Sequence, residues 1–250
     1  MANFLPLKNY MFFCLERIIK EYKLAPPFLD AGCGIGDVSR YLAVKGWHGE
    51  AIDFSDAALE QARKNLALFS DVNVSKKSIL DEHGRFGTVF LWDVLEHIEN
   101  DEEVLKKISS LLLPGGHLLI AVPSNPLEWR WDDDFYGHYR RYTAEELSEK
   151  LIRAGLLPLV DLDFTYPVFW VMRRIYTWLK RSSDMVGDKN KRTVVSSTVN
   201  AWDIPLVSNL MNKTNFIWNV IYKLQFRFAK VSVGRGHEMF VLAQKPKNVQ

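Results

Sequence analysis

Three glycines at alternate positions, Gly32, Gly34 and Gly36, follow Asp30 at the end of the short apolar stretch Phe28-Leu29-Asp30-Ala31. With no Cβ in such a turn, the backbone can adopt positive φ and approach a ligand closely. A helical pattern from about Val38 to Lys45 follows and aims its N-terminus at the same place. A dinucleotide turn needs G-x-G-x-x-G and a helix end free to hold a pyrophosphate. Here the spacing is G-x-G-x-G, and the Asp30 carboxylate repels phosphate. That chemistry suits a ligand carrying an amine and a sulfonium. A second carboxylate, Asp53, ends the next strand, Gly49 to Asp53, 17 residues after Gly36. In a βαβ unit it lies at the carboxyl edge of the sheet beside the first turn, where it can accept from both hydroxyls of a ribose. Phe54 offers a flat apolar face to a base. The plainer alternative makes Asp53 a helix cap, a role that Ser55 or Asp56 fills better.

Further along, Lys77-Ser78-Ile79-Leu80-Asp81 follows a third strand. Val89 to Trp92 is a continuous apolar run, as expected of a buried parallel strand, and it leads into Asp93-Val94-Leu95-Glu96-His97. The next helix, about Asp101 to Leu112, sets Val104, Ile108, Leu111 and Leu112 on one face. Leu113-Pro114-Gly115-Gly116 ends it with a turn, and His117 to Val122 is the fifth strand. The string Gly137-His138-Tyr139-Arg140-Arg141-Tyr142-Thr143 lies in the loop that follows, and Thr143 with Glu146 has capping-box spacing.

This ordered set resembles the class I S-adenosylmethionine-dependent methyltransferases, and within them the small-molecule group often called type 11 or type 23. The resemblance covers about Asn9 to Asp163 and resumes at Gly234 to Lys245. It implies an α/β, doubly wound, seven-stranded and mostly parallel sheet whose sixth and seventh strands form an antiparallel pair. It implies S-adenosyl-L-methionine as cofactor. Asp30, Gly32, Gly34 and Gly36 would cradle it, Asp53 would hold its ribose, and Phe54 would lie against the adenine. Asp81 would bind the adenine amino group, with the Leu80 backbone beside it. Asp93 and Val94 would line the methionine end. For Asp81 the alternative is a plain surface turn. No metal ligands are assigned.

The elements that position these residues are expected in three parts: residues 1–163 as the cofactor-binding core, 164–235 as a helical insertion between strands six and seven, and 236–250 as the last strand with its tail. Strand six is expected over Leu159 to Phe164 and strand seven over Met239 to Gln244. About 70 residues separate them, too many for a structureless loop. Helices are expected over Pro167 to Lys180 and Phe216 to Lys230, with the polar stretch Arg181 to Asn200 between them mobile. Charge is uneven. Residues 1–163 carry a balance of −8, residues 164–235 a balance of +9, and the whole chain only +2. Such asymmetry points to an anionic partner. Four of the eight tryptophans also lie in the insertion. It reads as a helical lid over an acceptor pocket, as a basic amphipathic surface on an anionic membrane, or as an RNA surface. No compact nucleic-acid module supports the last.

Two cysteines exclude a disulfide framework and suit a reducing cytosol. No run of about 18 apolar residues is present to span a membrane. The expected location is therefore cytoplasmic, with peripheral membrane contact through the insertion. The expected function is methyl transfer to a small acceptor, apolar or lipid-linked. The rivals are an RNA methyltransferase and a non-catalytic scaffold of the same fold. An oxygen or nitrogen acceptor must lose a proton, and histidine has the suitable pKa. His138 is the first candidate base and His97 the second. Arg140 and Arg141 either hold an acceptor anion or pair with Asp132 to Asp134.

Overall fold

The computed structural model describes residues 6–179, 215–229 and 234–247. The expected mobile stretch Arg181 to Asn200 lies outside them. Seven strands form one sheet: β1 (Phe28–Ala31), β2 (Gly49–Asp53), β3 (Val72–Lys76), β4 (Phe86–Trp92), β5 (Leu112–Pro123), β6 (Leu157–Asp163) and β7 (Glu238–Gln244). Their order is β3-β2-β1-β4-β5-β7-β6. Neighbours run parallel except at β7, which is antiparallel to both β5 and β6. The sheet therefore matches the expected doubly wound design.

Helices cover both faces, which is why the central strands can carry apolar residues on both sides of the sheet. Phe28, Phe90 and Leu119 point to a core shared with α1 (Pro6–Tyr22), α2 (Asp37–Val44) and α3 (Asp56–Leu66). Their neighbours Leu29, Val89, Leu91 and Leu118 join a second core with α4 (Asp101–Leu111) and α6 (Ala144–Arg153). The short α5 (Trp131–Tyr136) lies between β5 and α6 in the chain. Strand order reverses between β1 and β4, so the crevice outside their carboxyl ends is the natural ligand site.

One local expectation needs revision. Leu113 to Gly116 does not leave the sheet as a free turn. It forms the irregular entry to β5, where the register jumps from Phe86↔Leu112 to Thr88↔His117. Gly115 sits there at φ +78° and donates its N–H to the Lys245 carbonyl.

The insertion contributes two described helices, α7 (Val168–Leu179) and α8 (Asn215–Ala229). Both pack on α1. The buried Tyr10 ring stacks on Phe169 at 5.1 Å and on Tyr222 at 5.4 Å. Tyr222 also donates its hydroxyl to the Pro6 carbonyl. Gln225 staples the pair to the end of β6: its Oε1 accepts the Val168 N–H, and its Nε2 donates to the Phe164 carbonyl. Each helix also turns an apolar stripe outward, Val171, Ile175 and Trp178 on α7, and Ile217, Val220, Leu224 and Phe228 on α8. No described helix is long and apolar enough to cross a membrane.

Candidate active site

All three glycines of the β1–α2 turn have positive φ, at 81°, 53° and 81°. Gly32 must also be bare for steric reasons. A Cβ there would lie 2.5 Å from Val94 Cγ2, far inside contact distance. Val94 therefore packs directly on the turn. The Gly32 and Cys33 N–H groups both donate to the Ile52 carbonyl, and Asn65 of α3 donates to Ile35, so neighbouring elements clamp the loop.

Asp30 is fully buried, and one of its oxygens accepts both the Ser39 N–H and the Ser39 hydroxyl. It thus ties the end of β1 to the first turns of α2, a partner that spacing alone did not reveal. Burial pushes its carboxyl up to about 7. Asp53 is buried at the end of β2. Its Oδ2 accepts the Gly34 N–H at 2.9 Å and its Oδ1 accepts the Ser55 N–H at 2.8 Å. The helix cap of α3 is Ser55, whose hydroxyl accepts from Ala58. Asp53 is therefore left to organise the turn rather than the helix.

Phe54 and Leu80 are both exposed, and they follow neighbouring strands whose ends are in register at Asp53↔Lys76. Two large apolar side chains open to solvent at one sheet edge suit a flat heterocycle. Asp81 is exposed in a single 3-10 turn, Ile79–Asp81, which the Ser78 hydroxyl caps.

On the other side of the turn, Asp93 ends β4 at φ +53°. It is open to solvent, yet burial by the walls around it raises its carboxyl above the usual range, despite a hydrogen bond with Glu238 and the charges of His138 and Lys8. Glu238 is raised further by burial and by Asp93. Glu96 is fully buried and well above the usual carboxylate range, by burial and the Asp93 charge, and neither of its oxygens has a hydrogen-bond partner. Like charges crowded this way hold protons.

His97 and His138 meet edge to face, 4.8 Å between centroids. Burial, above all, pushes His97 down to about 3, so its ring is neutral at ordinary pH. Ligand atoms of Glu96, His97 and His138 all lie within 4.8 Å of one another. That trio offers two imidazoles and a carboxylate, a donor set suited to zinc and similar cations. The sequence reading assigned no metal ligands, and Glu96 and His138 come together only in the fold.

The His138 ring is held from behind. Its Nδ1 lies 2.9 Å from Asp133 Oδ1, an oxygen that also accepts from Arg141 Nε at 2.8 Å. Asp133 Oδ2 accepts the Arg130 N–H and a guanidinium N–H of Arg173. Burial alone would raise the Asp133 carboxyl, but the His138 hydrogen bond and the Arg141 and Arg173 charges hold it well below the usual range. Arg141 continues to the carbonyls of Ser124 and His237 at the ends of β5 and β7. Of the two expected arginines, only Arg141 joins the aspartates. Arg140 turns the opposite way, to Asp101 at 3.0 Å and the Glu99 carbonyl. Sequence reasoning missed Ser39, Glu238 and Arg173 as partners. A usable signal existed for the last: a basic pair, Arg173-Arg174, inside an otherwise apolar helix.

Fold and site together define a class, a doubly wound domain with a glycine turn and a buried carboxylate beside it at its switch point. The family described as "Methyltransferase domain" matches residues 9–159, and the chain belongs to it. It is similar to the ubiquinone biosynthesis O-methyltransferase of Marinobacter nauticus, 32% identical over 135 residues, which is 50% of this chain and 56% of that protein. It is also similar to phosphoethanolamine N-methyltransferase 2 of Caenorhabditis elegans, 35% identical over 116 residues, 42% of this chain and 26% of that one. The chain spans about half the length, or less, of the curated relatives it matches. Two solved structures share its fold. One is a putative sarcosine dimethylglycine methyltransferase from Galdieria sulphuraria, with TM-score 0.60, 15% identity, and coverage of 97% of this chain and 87% of that one. The other is geranyl diphosphate C-methyltransferase from Streptomyces coelicolor, with TM-score 0.59, 15% identity, and coverage of 94% and 79%.

Two outcomes follow from this geometry. Gly32→Ala adds left-handed strain of about 1–2 kcal/mol and a clash with Val94, so calorimetry should show S-adenosylmethionine affinity falling at least ~10-fold. Gly46→Ala, also at positive φ but with nothing within 4 Å of the added carbon, should leave affinity nearly unchanged. Equal affinity in both variants would remove the turn from the binding site. The second outcome concerns pH. An unfolded Asp30 titrates near 4, whereas the folded one titrates at about 7. The folded state therefore keeps a proton that the unfolded chain releases, and the stability it contributes is full below about pH 4 and lost as pH rises through about 7. Melting temperatures of Asp30→Asn should fall less than those of the wild type between pH 5 and 7.5; identical slopes would refute the shift.

Proposed function

We propose that this chain is an S-adenosylmethionine-dependent methyltransferase acting on a small acceptor, apolar or lipid-linked, at an oxygen or nitrogen nucleophile. The observation that carries the reading is the left-handed glycine turn with Asp53 bonded to the Gly34 N–H at the switch point. The fit is steric as well as polar. At Gly32 the turn is bare because Val94 fills the space a Cβ would need, and the Asp53 carboxylate beside Gly34 supports a ribose-binding role. Gly32, Gly34 and Gly36 would hold the donor, Asp53 its ribose, Phe54 and Leu80 the adenine faces, Asp81 the amino group, and Asp93 with Val94 the amino-acid end.

When bound, the cofactor supplies a methyl group already activated on a positive sulfur. The chain's own residues then have two tasks, alignment and proton removal. Alignment is the larger, since oriented reactions reach effective molarities of about 10⁵ M or more. His138 performs the second. Asp133 at Nδ1 holds a proton on that nitrogen, which leaves Nε2 as the basic one. His138 lies against Glu96 and His97, in the segment that Asp93 opens, so the base stands close in the fold to the residues assigned to the donor's amino-acid end. His97, neutral and edge-on to His138, buttresses the ring.

The two described helices of residues 164–235, α7 and α8, each have two apolar sides. One packs on α1. The other carries Ile175, Trp178, Ile217 and Leu224 into solvent, each more than half exposed, with Arg174, Lys223 and Arg227 among them. An excess of +9 across the segment and an exposed apolar stripe favour an anionic lipid surface as partner. That would also bring the crevice close to a lipid-linked acceptor.

Two measurements check the reading. His138→Gln should lower methyl transfer from labelled S-adenosylmethionine into a cell lipid extract by about 10²–10⁴-fold, while cofactor affinity by calorimetry stays within a few-fold. Full transfer by the variant would eliminate His138 as base, and no heat with wild-type protein would favour a scaffold. In sedimentation, vesicles containing phosphatidylserine should pull down the protein, neutral phosphatidylcholine vesicles should not, and Trp178→Glu with Ile217→Glu should abolish the binding. Equal, negligible recovery with both vesicle types would discard the membrane partner.

A further inference from the structure

We propose that Arg173, on the first insertion helix, is a positioning residue that fixes the orientation of His138 through Asp133. The proposal rests on the reading of His138 as the base, and it adds a part of the chain, α7, to the machinery that serves it.

Arg173 is only 4% exposed, and all of its nitrogens are engaged. Nε and Nη2 grip Asp132 bidentately at 2.9 and 2.6 Å. Nη2 also donates to Asp133 Oδ2 at 2.9 Å, and Nη1 donates to the Glu128 carbonyl at 2.9 Å. The Asp133 carboxylate is therefore pinned at both ends. Arg173 and the Arg130 N–H hold Oδ2, while Arg141 and His138 hold Oδ1. A carboxylate held this way cannot rotate about its Cβ–Cγ bond, so the imidazole bonded to it has one resting plane. Remove Arg173 and Oδ2 keeps a single backbone donor. Oδ1 can then rotate, and the ring follows.

Chain topology makes this arrangement specific. Asp133 lies on α5 and His138 just beyond it, so the two are local. Arg173 arrives from β6 and α7, 40 residues later. Without it the base and its carboxylate would still meet, and Arg141 would still tie Oδ1 to the ends of β5 and β7, but Oδ2 would keep only the Arg130 N–H and the carboxylate plane would be held from one end alone. A lysine could reach one oxygen as a point charge, but it lacks the fork that spans Asp132, Asp133 and Glu128 together. The helix that carries Arg173 also carries the outward stripe of Val171, Ile175 and Trp178. Whatever engages that stripe is thus one helix diameter from the strut behind His138.

The test uses full-length protein with 15N-labelled histidine, the His138 signals being assigned by their loss in His138→Gln. Truncating Arg173 alone would strand a buried charge, so the main variant is the charge-balanced pair Asp132→Asn with Arg173→Gln. Calorimetry with S-adenosylmethionine serves as the fold control. Wild-type His138 should show one tautomer, protonated at Nδ1, with a low-field proton from the Asp133 hydrogen bond. In the pair variant that signal should broaden or split, cofactor affinity should stay within about threefold, and transfer into the lipid extract should fall about 10–100-fold, the scale of an ångström-sized misplacement. Arg173→Lys should fall between wild type and pair. Adding the pair to His138→Gln should cost no further transfer. An unchanged His138 signal and unchanged transfer in the pair variant would overturn the proposal, as would an additional loss on the His138→Gln background. Undiminished transfer by His138→Gln itself would instead overturn the base assignment, and the His138 signal would still report whether Arg173 holds the ring.

Discussion

A single buried carboxylate, Asp133, joins parts of the chain that local structure could not bring together. It accepts from Arg130 on its own turn, from His138 and Arg141 in the following loop, and from Arg173 on the insertion. Two buried acids, Asp132 and Asp133, face two buried arginines, so the cluster is neutral as a whole. That balance is what makes burial tolerable. Breaking one partner of such a set costs about 3–5 kcal/mol, because the charge left behind has neither water nor counter-ion. Arg141 then carries the same anchorage to the ends of β5 and β7. The His138 side of the crevice is thereby locked to the sheet, although most of it is loop.

The glycine-turn side is built differently. There the constraint is shape. Gly32 has to be bare because Val94 fills the space a side chain would need, and Gly34 gives its N–H to Asp53. Asp30 secures the turn from beneath by holding Ser39. The two halves meet at Asp93 and Glu238, whose carboxyls lie close enough to share a hydrogen bond and therefore a proton.

What was legible in the sequence was whatever repeats locally. Strands β1, β4 and β5 announce themselves as apolar runs, the helices by their 3.6-residue stripes, and the turn by glycine spacing, since each depends on near neighbours. Even the two insertion helices appear within a residue or two of their expected bounds. Pairings were legible only in part. Asp132 to Asp134 facing the arginine pair was foreseeable, but not that Arg140 and Arg141, as neighbours on an extended segment, would point to opposite sides. The bond from Asp30 to Ser39, the contact between Asp93 and Glu238, and the reach of Arg173 depend on how elements stack. No spacing encodes that.

The place of β7 has a consequence for synthesis. β6 pairs with no strand other than β7 among the described residues, and β7 is also what covers the outer edge of β5. On the ribosome, β5 and β6 emerge well before their common neighbour, with about 74 residues still to be added between Asp163 and Glu238. At ~5–20 residues per second, that interval lasts roughly 4–15 s. Through it the nascent chain carries an unpaired strand edge, open to chaperones and to other nascent chains.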